Sequence, residues 1–369
     1  MNQTPKRIDW WEPWVGREER DLLIEVLESN FLNDGKYTTQ FEEELAHLLG
    51  CKHAVAVTSG TSALFLALVA NNVGPGDEVI VPDITFIATA NAVVMAGAKP
   101  ILVDISPDSL NLCPKKFEKA ITSQTKAVIP VHISGRPADM PTILEIAEKH
   151  DLLVIEDAAE AFSSKLNGKC LGTFGHAGIL SFSPNKTITT GQGGAILLDD
   201  DSLEVRLREL KDQGRPERGT GGNDRHDRIG YNFKFTNLQA AIGIAQLKRL
   251  TARTKRMKQT YLKYLEGLKE IEELTVLPFQ VETGEIPQWV DALSSQKDDL
   301  IKYLENRNVH CRKFWFPLHT HKPYYLPDDE FPNSTELVSK AFWLPSSFCL
   351  SDADIEQVCV HICNFFREN

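Results

Sequence analysis

One lysine, Lys186, stands in the run Ser181-Phe-Ser-Pro-Asn-Lys186-Thr-Ile-Thr-Thr-Gly-Gln-Gly-Gly194, and an acid, Asp157, closes the apolar run Leu152-Leu-Val-Ile-Glu-Asp157. A lysine amine can condense with a carbonyl, and a carboxylate can keep a heteroaromatic nitrogen protonated. Together they are the pair that pyridoxal phosphate (PLP) chemistry requires, the lysine as Schiff-base anchor and the acid as support for the ring's electron sink. Gly191, Gly193 and Gly194 let the backbone bend closely around a ligand. Taken singly, each residue has a plainer explanation, a solvated surface lysine and a helix N-cap acid. It is the pairing that points to chemistry, with Glu156 and Glu160 as neighbouring acids for the structural roles.

Two further stretches belong with this pair. Val57-Thr-Ser-Gly60-Thr61-Ser-Ala63 reads as a strand, a small-residue turn and a helix start, where free N–H groups and the positive helix end form an anion site. Phe86 follows another strand, where an aromatic ring serves either as core or as cover for one face of a flat cofactor.

Strands are expected at 53–57, 78–81, 101–103, 127–131, 152–155, 179–182 and 195–198, with helices at 62–70, 88–96 and 141–149 among them. Apolar strands spaced by helices imply a mostly parallel seven-stranded sheet covered on both faces, and ligands in such sheets bind beyond the carboxyl ends of the strands. No helix separates 179–182 from 195–198, so one of these is expected to run antiparallel. Before the sheet, helices are expected at 17–30 and from Thr39, whose Thr39-Gln-Phe-Glu42 has capping-box spacing, to a stop at Gly50. After it come helices at 201–212 and 237–270, the second broken near Arg249, with a polar loop at 213–228. A smaller α/β unit follows, with strands at 287–293 and 309–315, a helix at 296–306 and a closing helix at 352–367. This yields a large domain over 1–250 and a small C-terminal domain over 251–369, packed without a flexible tether.

The chain has 369 residues, 42% hydrophobic and 25% charged, ordinary values for a folded protein. Its formal charge of -11 excludes a general nucleic-acid binder and means that a phosphorylated ligand must be held by a local cluster of donors. Seven scattered cysteines without a CxxC pair, no apolar leader and no run approaching the ~20 residues of a membrane span lead to the expectation of a cytoplasmic protein with no membrane partner.

Jointly, Ser-Gly-Thr (59–61), Thr-Phe-x-Ala-Thr-Ala-Asn (85–91), Glu-Asp-Ala-Ala-Glu (156–160) and Ser-Phe-x-x-x-Lys-x-x-x-x-Gly-x-Gly-Gly (181–194) resemble the sugar aminotransferases of the DegT type. Val131-His-Ile-Ser-Gly135-Arg-Pro-Ala-Asp139-Met, Gly230-Tyr-Asn232-Phe-Lys-Phe-Thr-Asn237 and Phe316-Pro-Leu-His319 extend the resemblance over about 10–365. It implies the PLP-transferase fold of type I. It also implies Lys186 as the Schiff-base residue, Asp157 at the pyridine nitrogen, Phe86 on the ring face and Glu160 near the 3-hydroxyl. Gly60, Thr61 and Ser181 would hold the phosphate. Asn232 would reach it from the neighbouring subunit of a homodimer with a shared active site. Lysine rather than histidine at 186 sets the chain apart from the family's dehydratase branch. Phe162 departs from the Ala-Ala-Gln-Ala-His run more usual there, a change bearing on the pocket beside the cofactor. The segment 281–296 is shorter and more polar than in many relatives, which bears on the substrate side of the small domain.

The implied reaction moves an amino group from an amino acid, with L-glutamate the expected donor, to a keto sugar. Lys186 shuttles the proton. Residues 185–191 and 236–243 look most like the perosamine-synthase branch, which implies a nucleotide-linked 4-keto-6-deoxyhexose and a role in amino-sugar and cell-surface polysaccharide biosynthesis. A 3-keto or non-nucleotide sugar, a PLP-binding regulator without turnover and another type I PLP reaction stand as alternatives. Candidate substrate contacts are Arg228, Tyr231 and His319. Cations for a diphosphate are sought among Arg215, Arg218, Arg225, His226 and Arg228, or in Arg312 and Lys313, against the alternative of a solvated loop. His319 and His321 are spaced too weakly to expect a metal.

Overall fold

The structure, a computed structural model, describes residues 6–216 and 224–368. Seven strands form its main sheet: β1 (His53–Val57), β2 (Glu78–Pro82), β3 (Lys99–Val103), β4 (Thr125–Val128), β5 (Leu153–Asp157) and, after a short hairpin of β6 (Lys165–Leu166) and β7 (Lys169–Cys170), β8 (Ala177–Ser181) and β9 (Gly194–Leu198). Their order is β1-β9-β8-β5-β4-β2-β3. β2, β3, β4, β5 and β8 pair in parallel, whereas β9 is antiparallel to both β1 and β8. Helical crossovers carry the pairings among β2, β3, β4 and β5, the longer link bearing the β6–β7 hairpin brings β8 in parallel to β5, and the short loop 182–193 returns β9 directly antiparallel to β8. β1, β8, β5 and β2 therefore end on one edge, and the 182–193 loop carrying Lys186 emerges there.

Most of these strands are apolar throughout because both faces are covered. One core gathers Val55, Val57, Val79, Val81, Ile155 and Ile179 under the helices Gly60–Ala70, Ala88–Met95 and Asp201–Lys211. The other sets Ala54, Ala56, Leu180 and Leu197 against Lys36–Leu49 and Asn237–Lys248. The expected break near Arg249 is present: one helix ends at Lys248 and the next runs Leu250–Gly267.

The second sheet is wholly antiparallel, in the order β10 (Thr275–Val276), β11 (Val290–Leu293), β13 (Ala341–Leu344), β12 (Arg312–Lys313). The strand expected over 309–315 shrinks to two residues, because Val309 pairs instead with Ile8 at the start of the chain. The sequence reading missed β13, a four-residue apolar run too short to separate from helix by periodicity. We keep the division at 250/251 as a proposal. Across it Trp10 lies 5.8 Å from Trp289 and 6.2 Å from Trp343, so the N-terminal segment packs on the second sheet.

The helix expected to open at Thr39 begins at Lys36, with Gly35 as N-cap. Its capping-box residues are used elsewhere. Glu42 accepts the Ala56 N–H at 2.8 Å, and the free N–H groups of Tyr37 and Thr38 are taken by the distant Asn237 Oδ1 at 3.2 Å each. A cap supplied from 200 residues away leaves no local signature.

Candidate active site

At the shared edge the strand ends enclose a cleft of about 330 Å³, lined from the main sheet's side by Gly60, Thr61, Phe86, Thr89, Asp157, Glu160, Ser181 and Lys186, and from the second sheet's side by Trp289, Arg312 and Trp315. Seven residues singled out in sequence thus meet in one cavity: Gly60, Thr61, Phe86, Asp157, Glu160, Ser181 and Lys186.

The acid-rich run at the end of β5 divides its labour. Glu156 points into the core, where it accepts the N–H groups of Gly172, Phe174 and Gly175 and sits 3.0 Å from His132 Nε2. It pins the loop before β8 beneath the sheet. Asp157, on the opposite face of the strand, points into the cleft. No helix starts behind it, so it is not an N-cap. Its Oδ1 accepts the Ala159 N–H at 3.2 Å and its Oδ2 accepts the Thr89 hydroxyl at 2.8 Å, itself 2.8 Å from the Thr85 hydroxyl. Burial raises its pKa against these donors and the charge of Lys186. A carboxylate so placed is best satisfied by a cationic N–H in the cleft.

Glu160 is also buried. Its Oε1 lies 3.2 Å from Lys186 Nζ and its Oε2 accepts the Ser134 N–H at 3.0 Å. Burial lifts its pKa from 4.5 to about 7, with Lys186 pulling the other way. Ser134 has a left-handed backbone (φ 53°) and its hydroxyl donates to Asp291 Oδ1 on β11, which ties Glu160 to the second sheet. The Lys186 ammonium rests over the Trp289 ring, 5.0 Å from its centroid.

Opposite lies a cradle of hydroxyls and backbone N–H groups. Ser59 caps the helix Gly60–Ala70, accepting the Ser62 N–H, and Ser181 and Ser183 stand 3.1 Å apart across from it. A Cβ at Gly60 would lie 3.1 Å from Ser181 Cβ, so glycine keeps the cradle open. Phe86 is 55% exposed at the cleft wall, 6.3 Å from Trp315, and offers a flat ring face.

These features fit PLP: an amine, a buried acid for a ring nitrogen, an aromatic wall and a helix N-terminus for a phosphate. Among the lining residues that sequence did not single out are Thr89, Gln192, Trp289 and Trp315. Thr89 and Gln192 leave a trace, Thr89 as the second threonine of Thr85-Phe-Ile-Ala-Thr89 and Gln192 inside the glycine run 191–194. The tryptophans reach the cleft from a separate sheet.

The expected substrate contacts are placed differently. His319 is fully buried beneath Asp83, 2.7 Å from Nδ1, with Asp328 at 3.2 Å from Nε2 and Phe331 stacked at 4.6 Å. It is a core histidine, not a cleft residue. Tyr231 packs edge-on to Phe65 at 4.8 Å. Arg228 is exposed and bonds Glu209 at 2.8 Å, and Asn232 is exposed outside this chain's own cleft. Arg215 pairs with Asp224 and Arg225 with Asp227, while His226 bonds the Gln213 carbonyl. Arg218 lies outside the described residues. Of the cations sought for a diphosphate, Arg312 lines the cleft and Lys313 turns away to Asp298 at 2.7 Å. Phe162 does not reach the pocket. It is buried against Phe182, 6.5 Å away, in the core beneath the cleft.

Residues 13–363 match the DegT/DnrJ/EryC1/StrS aminotransferase family. The chain is 39% identical to the GDP-perosamine synthase of Caulobacter vibrioides over 97% of its own length and 98% of the relative's. Its fold matches that of S. venezuelae DesV with a TM-score of 0.90 at 31% identity over 94% of each chain. It also matches the PLP form of Spr1654 from Streptococcus pneumoniae, with a TM-score of 0.93 at 24% identity over 98% and 99% of the two chains.

Proposed function

The chain belongs to the DegT/DnrJ/EryC1/StrS aminotransferase family and is a PLP-dependent sugar aminotransferase, and from that premise we propose that it aminates a nucleotide-linked 4-keto-6-deoxyhexose with L-glutamate as donor. The observation that carries the reading is the convergence of Lys186, Asp157 and Glu160 in one cleft facing a hydroxyl-lined helix N-terminus. Full-length similarity to a GDP-perosamine synthase favours the nucleotide sugar as acceptor.

In this proposal Asp157 would hold the pyridine nitrogen, Gly60, Thr61 and Ser181 would hold the phosphate, Phe86 would cover the ring and Glu160 would serve the 3-hydroxyl. Bound PLP supplies the electron sink that makes the donor's α C–H bond acidic. Lys186 Nζ would anchor the cofactor at rest, would take the α proton of the bound donor and pass it on, and would run the same transfer backwards in the second half. Asp157 would hold the proton on the ring nitrogen, and Thr89 and the Ala159 N–H fix its orientation. The indoles of Trp289 and Trp315 wall off water. Asn232, exposed on this chain, would complete the site of a second copy in a homodimer. We place the work in the cytoplasm; no helix among the described residues is long and apolar enough to cross a membrane.

Purified protein loaded with PLP is expected to lose its visible absorbance on adding L-glutamate and to recover it with a 4-keto nucleotide sugar. Lys186→Ala should abolish both. An active Lys186→Ala variant would overturn the assignment. A wild-type chain unresponsive to any amino acid would support a regulator instead.

A further inference from the structure

Lys186 stands on the loop between β8 and β9, and its own N–H closes a turn onto the Ser183 carbonyl at 3.1 Å. The peptide units on either side of its Cα are gripped by one distant residue. This is Gln288, a side chain only 1% exposed that lies just before β11. Gln288 Oε1 accepts the Thr187 N–H at 3.1 Å and the Thr187 hydroxyl at 2.6 Å, and Gln288 Nε2 donates to the Asn185 carbonyl at 3.1 Å. The Asn185 carbonyl belongs to the peptide unit entering Lys186, and the Thr187 N–H to the unit leaving it. A single planar amide therefore fixes both backbone dihedrals at Lys186, and with them the direction of its Cα–Cβ bond. Arg253 Nη1 adds a bond to the Thr187 carbonyl at 2.9 Å.

The same short segment also holds the other end of the lysine. The Gln288 N–H donates to the Ser134 carbonyl at 2.8 Å, and the Ser134 N–H donates to Glu160 Oε2 at 3.0 Å. Glu160 Oε1 then meets Lys186 Nζ at 3.2 Å, and the ring of Trp289, the next residue, lies 5.0 Å from that ammonium. A closed circuit of hydrogen bonds runs from the root of Lys186 through Gln288, Ser134 and Glu160 to its tip. Glutamine suits this place chemically. Two donors face Oε1 and one acceptor faces Nε2, so a carboxylate would set an oxygen against the Asn185 carbonyl. An alkyl chain would leave all three buried groups without this partner.

We propose that Gln288 is a positioning residue for the amine of Lys186, fixing the root from which that amine reaches the cofactor and the substrate proton. This rests on the aminotransferase reading above. The lysine side chain stays free to swing, and a swing from a fixed root returns Nζ to the same reacting distance in each half of the reaction.

The test compares Gln288→Met, Gln288→Glu and wild type. Methionine keeps the unbranched length without the amide, and glutamate keeps both bonds from Thr187 but loses the one to Asn185. In cofactor-free protein, backbone hydrogen exchange at 183–190 is followed by mass spectrometry, and Gln288→Met should exchange roughly tenfold faster there. Capture of added PLP by Lys186, an amine–aldehyde condensation that releases water, is timed by borohydride quenching and intact mass. Single-turnover rates are then measured with L-glutamate and its α-deuterated form. Gln288→Met should slow capture and turnover by roughly tenfold to a hundredfold, the size expected for a reacting group misplaced by about 1 Å. The half-saturating glutamate concentration should not move, and the isotope effect should grow, because proton transfer and not binding is impaired. Gln288→Glu should fall between. Wild-type rates in Gln288→Met, or a loss confined to urea stability, would overturn the proposal and leave Gln288 a packing residue. Should Gln288→Met not fold, wild-type rates in Gln288→Glu despite faster exchange at 183–190 would overturn it equally. A chain that answers no amino acid would refute the functional reading, while exchange and PLP capture would still judge Gln288.

Discussion

Asp291 on β11 is a fully buried acid at the junction of the two sheets, and replacing it with asparagine should be among the most damaging conservative changes in this protein. Its Oδ1 accepts the Ser134 hydroxyl at 2.7 Å and the Trp343 indole N–H at 2.8 Å, and its Oδ2 accepts Arg136 Nη2 at 3.0 Å. An asparagine can keep the first two on its single carbonyl oxygen, but its amide N–H groups would then face the Arg136 fork. Arg136 keeps weaker support: its Nε reaches the Pro278 carbonyl at 3.0 Å, its guanidinium lies 4.0 Å from the Phe279 ring centroid, the charge of Glu285 acts on it without an ion pair, and Nη1 has no partner among the described residues. Removing one member of a buried pair leaves the other charge uncompensated, at about 3–5 kcal/mol. That is a large share of the ~5–15 kcal/mol by which a folded chain is typically stable. Urea unfolding of PLP-loaded protein at fixed concentration measures it. The pairing argument also requires that Arg136→Met/Asp291→Asn be more stable than Asp291→Asn alone, since the second change removes the stranded charge. A loss under ~1 kcal/mol for the single variant, or no recovery in the double, would refute the reasoning.

Glu160 offers a pH test. Its folded pKa of about 7 lies above the ordinary 4.5, so the folded cofactor-free chain binds this proton more readily than the unfolded one. The associated stability is full below pH 4.5 and is lost as pH rises through 7, about 3 kcal/mol in all. Glu160→Gln should remove that slope from the stability profile, and parallel profiles for the two proteins would count against it. Thr89→Val keeps shape but deletes the hydroxyl bond to Asp157 and strands the Thr85 hydroxyl. A loss of about 1.5–3 kcal/mol at a charged acceptor should weaken PLP binding roughly tenfold or more in an absorbance titration. An unchanged affinity would mean that the Ala159 N–H suffices to hold Asp157.

Much of this molecule is written locally. Each of the seven strands is a short, mostly apolar run, the missing helix between β8 and β9 announces the antiparallel return, and the small-residue turns after β1 and β8 mark where backbone must approach a ligand. Those features depend on neighbours in the chain, so composition and spacing reveal them, and with them the location of Lys186, Asp157 and the Gly60–Thr61 turn at one sheet edge. The roles of Glu156, Asp157 and Glu160 were not separable in the same way. Strand alternation sends 156 and 157 to opposite faces, but only the packed loop at 172–175 makes Glu156 structural and only Ser134 aims Glu160 at Lys186. The spacing of His319 suggests a site residue, but it is a core one, because Asp83, 236 residues away and just past the end of β2, buries and binds it. Trp289 and Arg312 belong to the cleft solely because the second sheet docks over the first. The available chemistry and the sheet edge where it collects are legible along the chain, since hydrophobic period and turn type are properties of adjacent residues. Which buried polar groups meet, and therefore which acid faces Lys186, was decided by tertiary structure, because those partnerships form between segments with no local information about one another.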